Sequence, residues 1–190
     1  MILAIVAYGE PVLKKRADEV KEHDTYIHQL IADMFETMYN ANGVGLAAPQ
    51  VGKSIRLFIV DGSSFADDED PSTHYMREFK HVFINPKIEE EKGNEWGFNE
   101  GCLSIPGIRE EVFRREDLKV TYYDENFKKH TKSFSGYAAR IIQHEYDHLD
   151  GKLFVEKINP LRRQLLKRRL DEISKGDVEV AYKMRFPKKK

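Results

Sequence analysis

The feature that most constrains the fold of this chain is a polar motif inside a helix that is apolar enough to be buried. The spacing predicts a helix over about Gly136–Asp150, closed by Gly151, and this segment contains HEYDH from His144 to His148. Histidines four residues apart lie on one helical face, so both imidazoles can face one divalent metal. Apolar residues share the segment: Ile141, Ile142 and Leu149. Burial of the histidines and of Glu145 requires a partner, because unpaired polar groups are costly away from water.

Glu145 lies beside the two histidines and is a candidate general acid or base. A second interpretation stays open, in which the histidines make hydrogen bonds at the helix surface and Glu145 is a solvated charge. Asp147 is a candidate partner of the histidines, although a carboxylate near a helix end is more often a plain surface charge.

Two further helices are predicted, one on each side of a strand-rich region. Apolar spacing predicts the first from Asp24, its cap, to about Asn42, where Asn42–Gly43 ends it. Asn159 is the predicted cap of the last helix, and Pro160 occupies its first position. An apolar stripe follows on that helix: Leu161, Leu165, Leu166, Leu170 and Ile173.

Strand patterns fill most of the chain between the first two helices. GVGLAAPQVG at residues 43–52 is predicted as a glycine-rich loop, and Ile55–Val60 as a buried strand. Short strands are then predicted at His81–Ile84, Ile88–Glu91, Val112–Arg114, Leu118–Tyr123 and His130–Phe134. This order favours an α+β fold. We expect one domain over residues 1–190, in which the HEYDH helix packs among short antiparallel strands, with an N-terminal and a C-terminal helix beside it.

Charge and apolar patterning exclude several protein classes. The chain has 31 basic and 32 acidic side chains, which argues against bulk electrostatic binding to nucleic acid. No apolar run approaches the roughly 18 residues of a membrane span. The apolar start lacks a basic region, so it is predicted as a strand or packed arm rather than a signal peptide. The single cysteine, Cys102, cannot form an intrachain disulfide, which predicts a cytoplasmic location.

Two stretches are predicted to lie outside the packed body of the domain. Residues 61–80 are typical of a surface insertion, because four acidic residues follow one another at 67–70. Residues 186–190 form a basic tail that we expect to be frayed.

A catalytic metal site needs a third protein ligand and an open position for water. The extended motif HExxHxxGxxH fails here, because Gly151 fits its glycine but Phe154 stands where the last histidine belongs. Glu156 lies next to a predicted helix end, and Glu172 lies on the exposed side of the last helix. The remaining candidate is Cys102, in an irregular, glycine-flanked segment at residues 100–107. A lone cysteine is also often a small buried hydrophobe.

Three segments together resemble the peptide deformylase family. They are GVGLAAPQ at residues 43–50, EGCLS at 100–104 and QHEYDH at 143–148, which match the family patterns GxGxAAxQ, EGCxS and HExxH in order and spacing. The resemblance extends from the N-terminal arm through GKLFVEKI and is weakest over 61–80 and after Asn159. It implies the α+β fold of that family, with the HExxH helix packed inside sheets.

The resemblance also implies roles for individual residues. It makes Cys102, His144 and His148 the metal ligands and Glu145 the general acid or base. The Gln50 side chain and the Leu103 N–H then stabilise an oxyanion. The implied reaction removes the formyl group from the N-terminal formyl-methionine of newly made polypeptides and releases formate. The implied physiological metal is Fe(II), with zinc, nickel or cobalt able to replace it.

Further residues are expected to bind substrate. Gly43 and Gly45 let a peptide backbone approach closely, although turn geometry after a helix explains the same glycines. Gly101, beside Cys102, is included among them. We expect Ile141 and Val44 to line a pocket for the methionine side chain.

Four other side chains have two interpretations each. Tyr137 shares the face of His144 and either lines the pocket or packs in the core. Arg140 is also near this face, so it lies at the pocket mouth or the face is assigned wrongly. Arg109 contacts the peptide or pairs with Glu110. Gln50 acts on the oxyanion or only satisfies the backbone of a turn.

Two other functions compete with deformylation. A zincin-type peptidase needs a further histidine or a glutamate ligand, and Phe154 speaks against its commonest form. A non-catalytic ribosome- or peptide-binding relative predicts the loss of Glu145, Gln50 or a ligand, and none is lost. A basic cluster could contact ribosomal RNA, although a solvated helix face is the more common explanation: Arg162–Arg163, Lys167–Arg169 and Lys188–Lys190.

Overall fold

In a computed structural model, the described part of the protein combines three α-helices with seven strands. The structure describes residues 1–22 and 24–188, so Lys189 and Lys190 of the predicted basic tail lie outside the described residues. The helices are α1 (Ile27–Asn40), α2 (Gly136–Leu149) and α3 (Pro160–Lys175). The strands are β1 (Ile5–Val6), β2 (Gly45–Ala47), β3 (Leu57–Asp61), β4 (Lys80–Cys102), β5 (Ile105–Tyr123), β6 (Lys129–Ser135) and β7 (Met184–Arg185). The predicted α+β fold is confirmed.

Most strands belong to one antiparallel sheet. Its strand order is β2-β3-β4-β5-β6, and β1 and β7 form a separate parallel pair. The strand β3 is buried from Leu57 to Val60. This agrees with the apolar run predicted there, since a strand covered on both faces reads as continuously apolar.

The predicted short strands are wrong in length, because they merge into two long ones. His81–Ile84 and Ile88–Glu91 both belong to β4, while Val112–Arg114 and Leu118–Tyr123 both belong to β5. Register shifts in the β4–β5 ladder accommodate residues that usually end strands, so pairing continues past them. Cys102 therefore lies in a strand rather than in a loop, although the pairing register shifts between Gly101 and Cys102, as expected of irregular backbone. It is the last residue of β4, before a two-residue turn.

The segment at residues 43–52 is not the glycine-rich loop that was predicted. It forms β2 and then a 3₁₀ helix over Ala48–Val51, and both are buried. Small side chains explain the difference, because they let this backbone pack closely against α2. A Cβ added at Gly45 would lie 2.8 Å from Cδ of Glu145 on that helix.

The two outer helices differ from prediction in detail. Helix α1 begins at Ile27, not at Asp24, whose carboxylate accepts a hydrogen bond from the Lys21 N–H instead of capping the helix. The predicted cap and first residue of α3 are confirmed. Its apolar stripe is only partly buried: Leu166, Leu170 and Ile173 are covered, whereas Leu161 and Leu165 are 66% and 65% exposed.

Helix α2 packs against the sheet, and this packing positions its polar motif. Its apolar side chains share one core cluster with strands β3, β4 and β5, formed with Phe58, Val60, Phe83, Leu118 and Val120 among others. The predicted end of α2 is confirmed, because Gly151 follows it with φ +69°. The motif therefore lies on a helix that is fixed on its apolar side.

Residues 61–80 are only partly a surface segment. The acidic residues at 67–70 are exposed, but Met76 and Phe79 are buried in the same cluster as α2. Across the described ranges, no helix is both long enough and apolar enough to span a membrane.

Candidate metal centre

Three candidate ligands converge at the end of β4. Donor atoms of Cys102, His144 and His148 all lie within 4.8 Å of one another, and they form the one such group among residues 1–22 and 24–188. Helix α2 supplies both imidazoles from successive turns, with ring centroids 5.2 Å apart. Cys102 Sγ lies 3.4 Å from Nε2 of His148. The hairpin and the helix thus bring the three predicted ligands together.

The donor set fits a divalent metal. One thiol and two imidazoles suit zinc or iron(II), and three protein ligands leave a fourth position for water. Beside these ligands, Oε2 of Glu145 is buried without a hydrogen-bond partner in the described part of the chain. An unpaired buried polar atom is costly, and its presence here favours a site whose contacts are completed by a bound group.

Other candidate ligands point away from this centre. Glu156 pairs with Lys14, and Glu172 bonds Arg168 at 2.9 Å. Phe154 contributes only an aromatic ring, 6.1 Å from that of His144. The ligand arrangement of a zincin is therefore not formed by these residues.

Glu100 orients His144. Its Oε2 lies 2.9 Å from Nδ1 of His144, which leaves Nε2 of that ring free to face Cys102. Burial of Glu100 favours the neutral carboxyl, but hydrogen bonds from His144 and Arg114 outweigh burial and hold its pKa well below its usual range. The carboxylate is therefore charged and fixes the imidazole.

Arg114 joins Glu100 to the far side of α2. Its guanidinium donates to Oε1 and Oε2 of Glu100 at 2.7 and 3.0 Å, and to Asp147 at 2.7 Å. All three residues are buried. Asp147 thus acts through Arg114 and Glu100, and not on a histidine directly.

Sequence reasoning missed both Glu100 and Arg114. The available signal was the position of Glu100 two residues before Cys102.

Arg140 belongs to the same network. It is 3% exposed, and it donates to Glu100 at 2.8 Å and to the backbone oxygens of Val112 and Trp96. Its guanidinium carbon also lies 4.5 Å from the Trp96 ring centroid. Arg140 is therefore not at the pocket mouth, but in the wall, where it neutralises Glu100.

The carboxyl of Glu145 is enclosed beside the metal ligands. It is 4% exposed, and burial raises its pKa to about 7. Such a group can be neutral or charged near physiological pH, as a proton carrier requires.

Gln50 makes the turn contact that the sequence allowed, and its amide nitrogen also faces the candidate metal centre. Its Oε1 accepts the Ala47 N–H at 2.8 Å within the 3₁₀ turn. Its Nε2 faces Cys102 Sγ at 3.4 Å and Ser104 Oγ at 3.3 Å. Because the oxygen is held by the backbone, the donor end of the amide is directed into the site.

A cavity of about 920 Å³ opens over these groups. All the predicted site residues except buried His148 line it: Gly43, Val44, Gly45, Gln50, Gly101, Cys102, Leu103, Ile141, His144 and Glu145. Apart from His148, the predicted ligands, the predicted proton carrier and the predicted pocket residues therefore surround one space.

Two of the remaining expectations need correction or refinement. Arg109 does not pair with Glu110: it donates to the Asn99 backbone oxygen at 3.3 Å, while Glu110 bonds Arg162. Tyr137 packs among aromatic rings of the cavity wall, 5.1 Å from Phe65 between centroids.

Comparison with known proteins extends the similarity to nearly the whole chain. The sequence model of the family described as "Polypeptide deformylase" matches residues 2–164. A peptide deformylase from Christiangramia forsetii is 53% identical, covering 100% of this chain and 98% of the relative. One from Cytophaga hutchinsonii is 50% identical over all of both chains.

Solved structures show the same fold. A peptide deformylase from Legionella pneumophila has a TM-score of 0.78 at 38% identity, covering 93% of this chain and 98% of that one. The enzyme from Thermotoga maritima has a TM-score of 0.74 at 39% identity, covering 84% and 99%. The range matched by the family's sequence model, residues 2–164, includes the strand and the helix that carry the donor atoms described above.

Proposed function

Because the chain belongs to the peptide deformylase family, we propose that Cys102, His144 and His148 hold its catalytic metal and that Glu145 transfers protons. The reaction of this metal-dependent family is the protein's function: hydrolysis of the N-formyl group from the N-terminal formyl-methionine of newly made polypeptides, which releases formate. The observation that carries the assignment is the convergence of one thiol and two imidazoles beside an enclosed carboxyl.

A divalent metal held by Cys102, His144 and His148 would supply Lewis-acid chemistry, which would make water acidic enough to lose a proton near neutral pH. The protein supplies the remaining steps. Glu145 accepts the proton of the attacking water and later donates it to the leaving amine, as expected of a carboxyl with an unpaired oxygen in the cavity wall. Gln50 Nε2 and the Leu103 N–H stabilise the negative charge that develops on the formyl oxygen.

Formate release from formyl-Met-Ala-Ser tests this proposal. We expect the Fe(II)-loaded protein to release formate under anaerobic conditions, and Cys102→Ala to bind little metal and release almost none. Absence of formate from the intact, metal-loaded protein would contradict the function. Undiminished metal content in Cys102→Ala would contradict the ligand assignment.

We propose Fe(II) as the physiological metal, with zinc, nickel or cobalt able to occupy the site. Zinc binds such donors more tightly than iron(II), so availability decides occupancy. The Cys102 thiol lines the cavity, and a thiolate beside iron that oxidants can reach is also open to oxidation. Metal analysis of protein purified without oxygen, compared with protein purified in air, tests the assignment.

Replacement of Gln50 by glutamate is expected to lower kcat at least 100-fold. The new carboxylate still accepts the Ala47 N–H but offers no donor to the oxyanion, and losing one such donor typically costs about 100- to 1,000-fold. Formate release measures the effect, with metal content determined on the same sample. A decrease of less than tenfold would show that the amide serves only the turn.

Replacement of Gly45 by alanine is expected to lower kcat about 100-fold. The added Cβ would overlap Oε1 of Glu145 and lie 2.8 Å from its Cδ, so the carboxyl must move. A displacement of about 1 Å at a reacting group can cost about 100-fold. Gly97→Ala is the matched control, because its Cβ meets only the exposed side chain of Glu111. Equal activity of the two variants would argue against Glu145 as the proton carrier.

Gly43 and Gly101 are proposed to admit the substrate backbone, and Val44 and Ile141 to line the methionine pocket. Each residue lines the cavity, and Ile141 and Val44 belong to or pack against the same apolar cluster. The substrates are nascent formyl-methionyl peptides, and we propose that the protein acts on them in the cytoplasm.

A transient ribosome contact through α3 is a further proposal, supported by the cations of that helix. Four of them are already engaged: Arg162 with Glu110, Arg168 with Glu172, Arg169 with the Gly107 oxygen, and Lys175 with Asp171. The contact would therefore depend most on Arg163 and Lys167. Cosedimentation with ribosomes at rising salt, comparing the protein with a variant that lacks these two charges, tests it.

A further inference from the structure

The chain after α3 returns to the active site. Gly176 ends the helix with φ +77°, and β7 then pairs in parallel with β1. Between these points, residues 179–182 line the same cavity as His144 and Glu145. This segment lies beyond residue 164, the last residue matched by the family's sequence model. The cavity wall therefore includes a part of the chain that this family model does not cover, although peptide deformylases align with the whole chain.

Tyr182 makes the most specific contact of this segment. Its hydroxyl donates a 2.7 Å hydrogen bond to the backbone oxygen of Leu103, and its ring packs partly buried against the core cluster around α1. Leu103 and Ser104 form the whole turn between β4 and β5. The bond thus joins the C-terminal segment to the turn that contains Leu103 and directly follows Cys102.

Distant parts of the chain hold this turn from several sides. The Tyr8 N–H donates to the Ser104 oxygen at 2.8 Å, and Gln50 Nε2 lies 3.3 Å from the Ser104 hydroxyl. Among these contacts, the hydrogen bond from Tyr182 is the one made to Leu103 itself. Peptide units are planar, so only φ and ψ of Leu103 separate the carbonyl held by Tyr182 from the N–H of the same residue.

We propose that Tyr182 is a positioning residue for deformylation, because its hydroxyl fixes the Leu103 peptide so that the Leu103 N–H faces the formyl oxygen. The inference rests on the proposed role of Leu103 as an oxyanion donor. The Tyr182 hydrogen bond is expected to stabilise the transition state, in which negative charge develops on the formyl oxygen. It is not expected to strengthen binding of the peptide. A loosened donor therefore lowers kcat while KM changes little.

Tyr182→Phe in the metal-loaded, full-length enzyme tests this role, because it removes only the hydroxyl. We expect kcat for formyl-Met-Ala-Ser to fall about tenfold, KM to stay within twofold and metal content to be unchanged. Tyr39→Phe is the matched control. It removes a tyrosine hydroxyl that bonds Asp61 at 2.6 Å, and Tyr39 is not among the residues that line the cavity. We expect its kcat to equal that of the parent.

Amide hydrogen exchange of the zinc-loaded protein provides a readout without turnover. In Tyr182→Phe, exchange at Leu103 and Ser104 is expected to accelerate while the helix α2 amides stay protected. A kcat within twofold of the parent, or an increase confined to KM, would overturn the inference and leave Tyr182 as an anchor of the C-terminal segment. Absence of formate from the parent enzyme would instead contradict the proposed function itself, so the two failures are distinguishable.

Discussion

Glu145→Ala is expected to retain bound metal and to lose deformylation almost completely. The carboxyl contributes no ligand to the convergent group of Cys102, His144 and His148, so metal content should remain that of the parent. Proton transfer by a positioned side chain contributes about 100- to 10,000-fold to a rate. Because burial raises the pKa of this carboxyl to about 7, close to the operating pH, the loss should lie toward the upper end of that range.

Glu145→Gln separates chemistry from packing. It preserves the volume of the side chain in a position where alanine leaves a cavity, but it cannot accept a proton. Both variants should show the same loss of kcat, measured by formate release with metal content determined in parallel. Substantial residual turnover in Glu145→Gln would contradict the proton-transfer role. A loss of metal in either variant would indicate that Glu145 supports the ligands instead.

Local patterns predicted the parts of the site that lie on one element or in one motif. The HEYDH spacing placed His144 and His148 on one helical face, and α2 has the predicted bounds to within one residue. Cys102 was a candidate because it is the single cysteine and lies in a motif. Its position opposite the histidines depends on the pairing of β4 with β5, which no local pattern specifies.

The network that orients the ligands was beyond sequence reasoning for a physical reason. Glu100, Arg114 and Arg140 are charged residues, and charged residues are usually exposed. Only the fold shows that they are buried together and that each compensates another. Sequence spacing is equally limited for α3, because it cannot show which leucines of a helix contact the core. Leu161 and Leu165 fit the apolar spacing but are exposed.

Arg114→Met is expected to lower the free energy of unfolding by about 3–5 kcal/mol, because removing one member of a buried ion pair leaves the others uncompensated. Arg114 bridges Glu100 and Asp147, and methionine keeps much of its length without its charge. Repulsion between the two carboxylates and partial release of Glu100 should also loosen its bond to His144. Loss of such a support to a metal ligand typically lowers metal affinity about 10- to 100-fold.

Arg115→Met is the matched control for this prediction, one position further along β5. Arg115 is about half exposed, lies 3.7 Å from Glu95 and donates to the Gly93 backbone oxygen, so its loss should cost less than about 1 kcal/mol. Urea unfolding of the metal-free variants isolates the effect of the ion pairs, and zinc titration of the folded variants measures the effect on the site. If Arg114→Met unfolds at the same urea concentration as Arg115→Met, the network does not stabilise the fold. If its zinc affinity is also unchanged, Glu100 orients His144 without Arg114, and Arg140 alone is sufficient to hold that carboxylate.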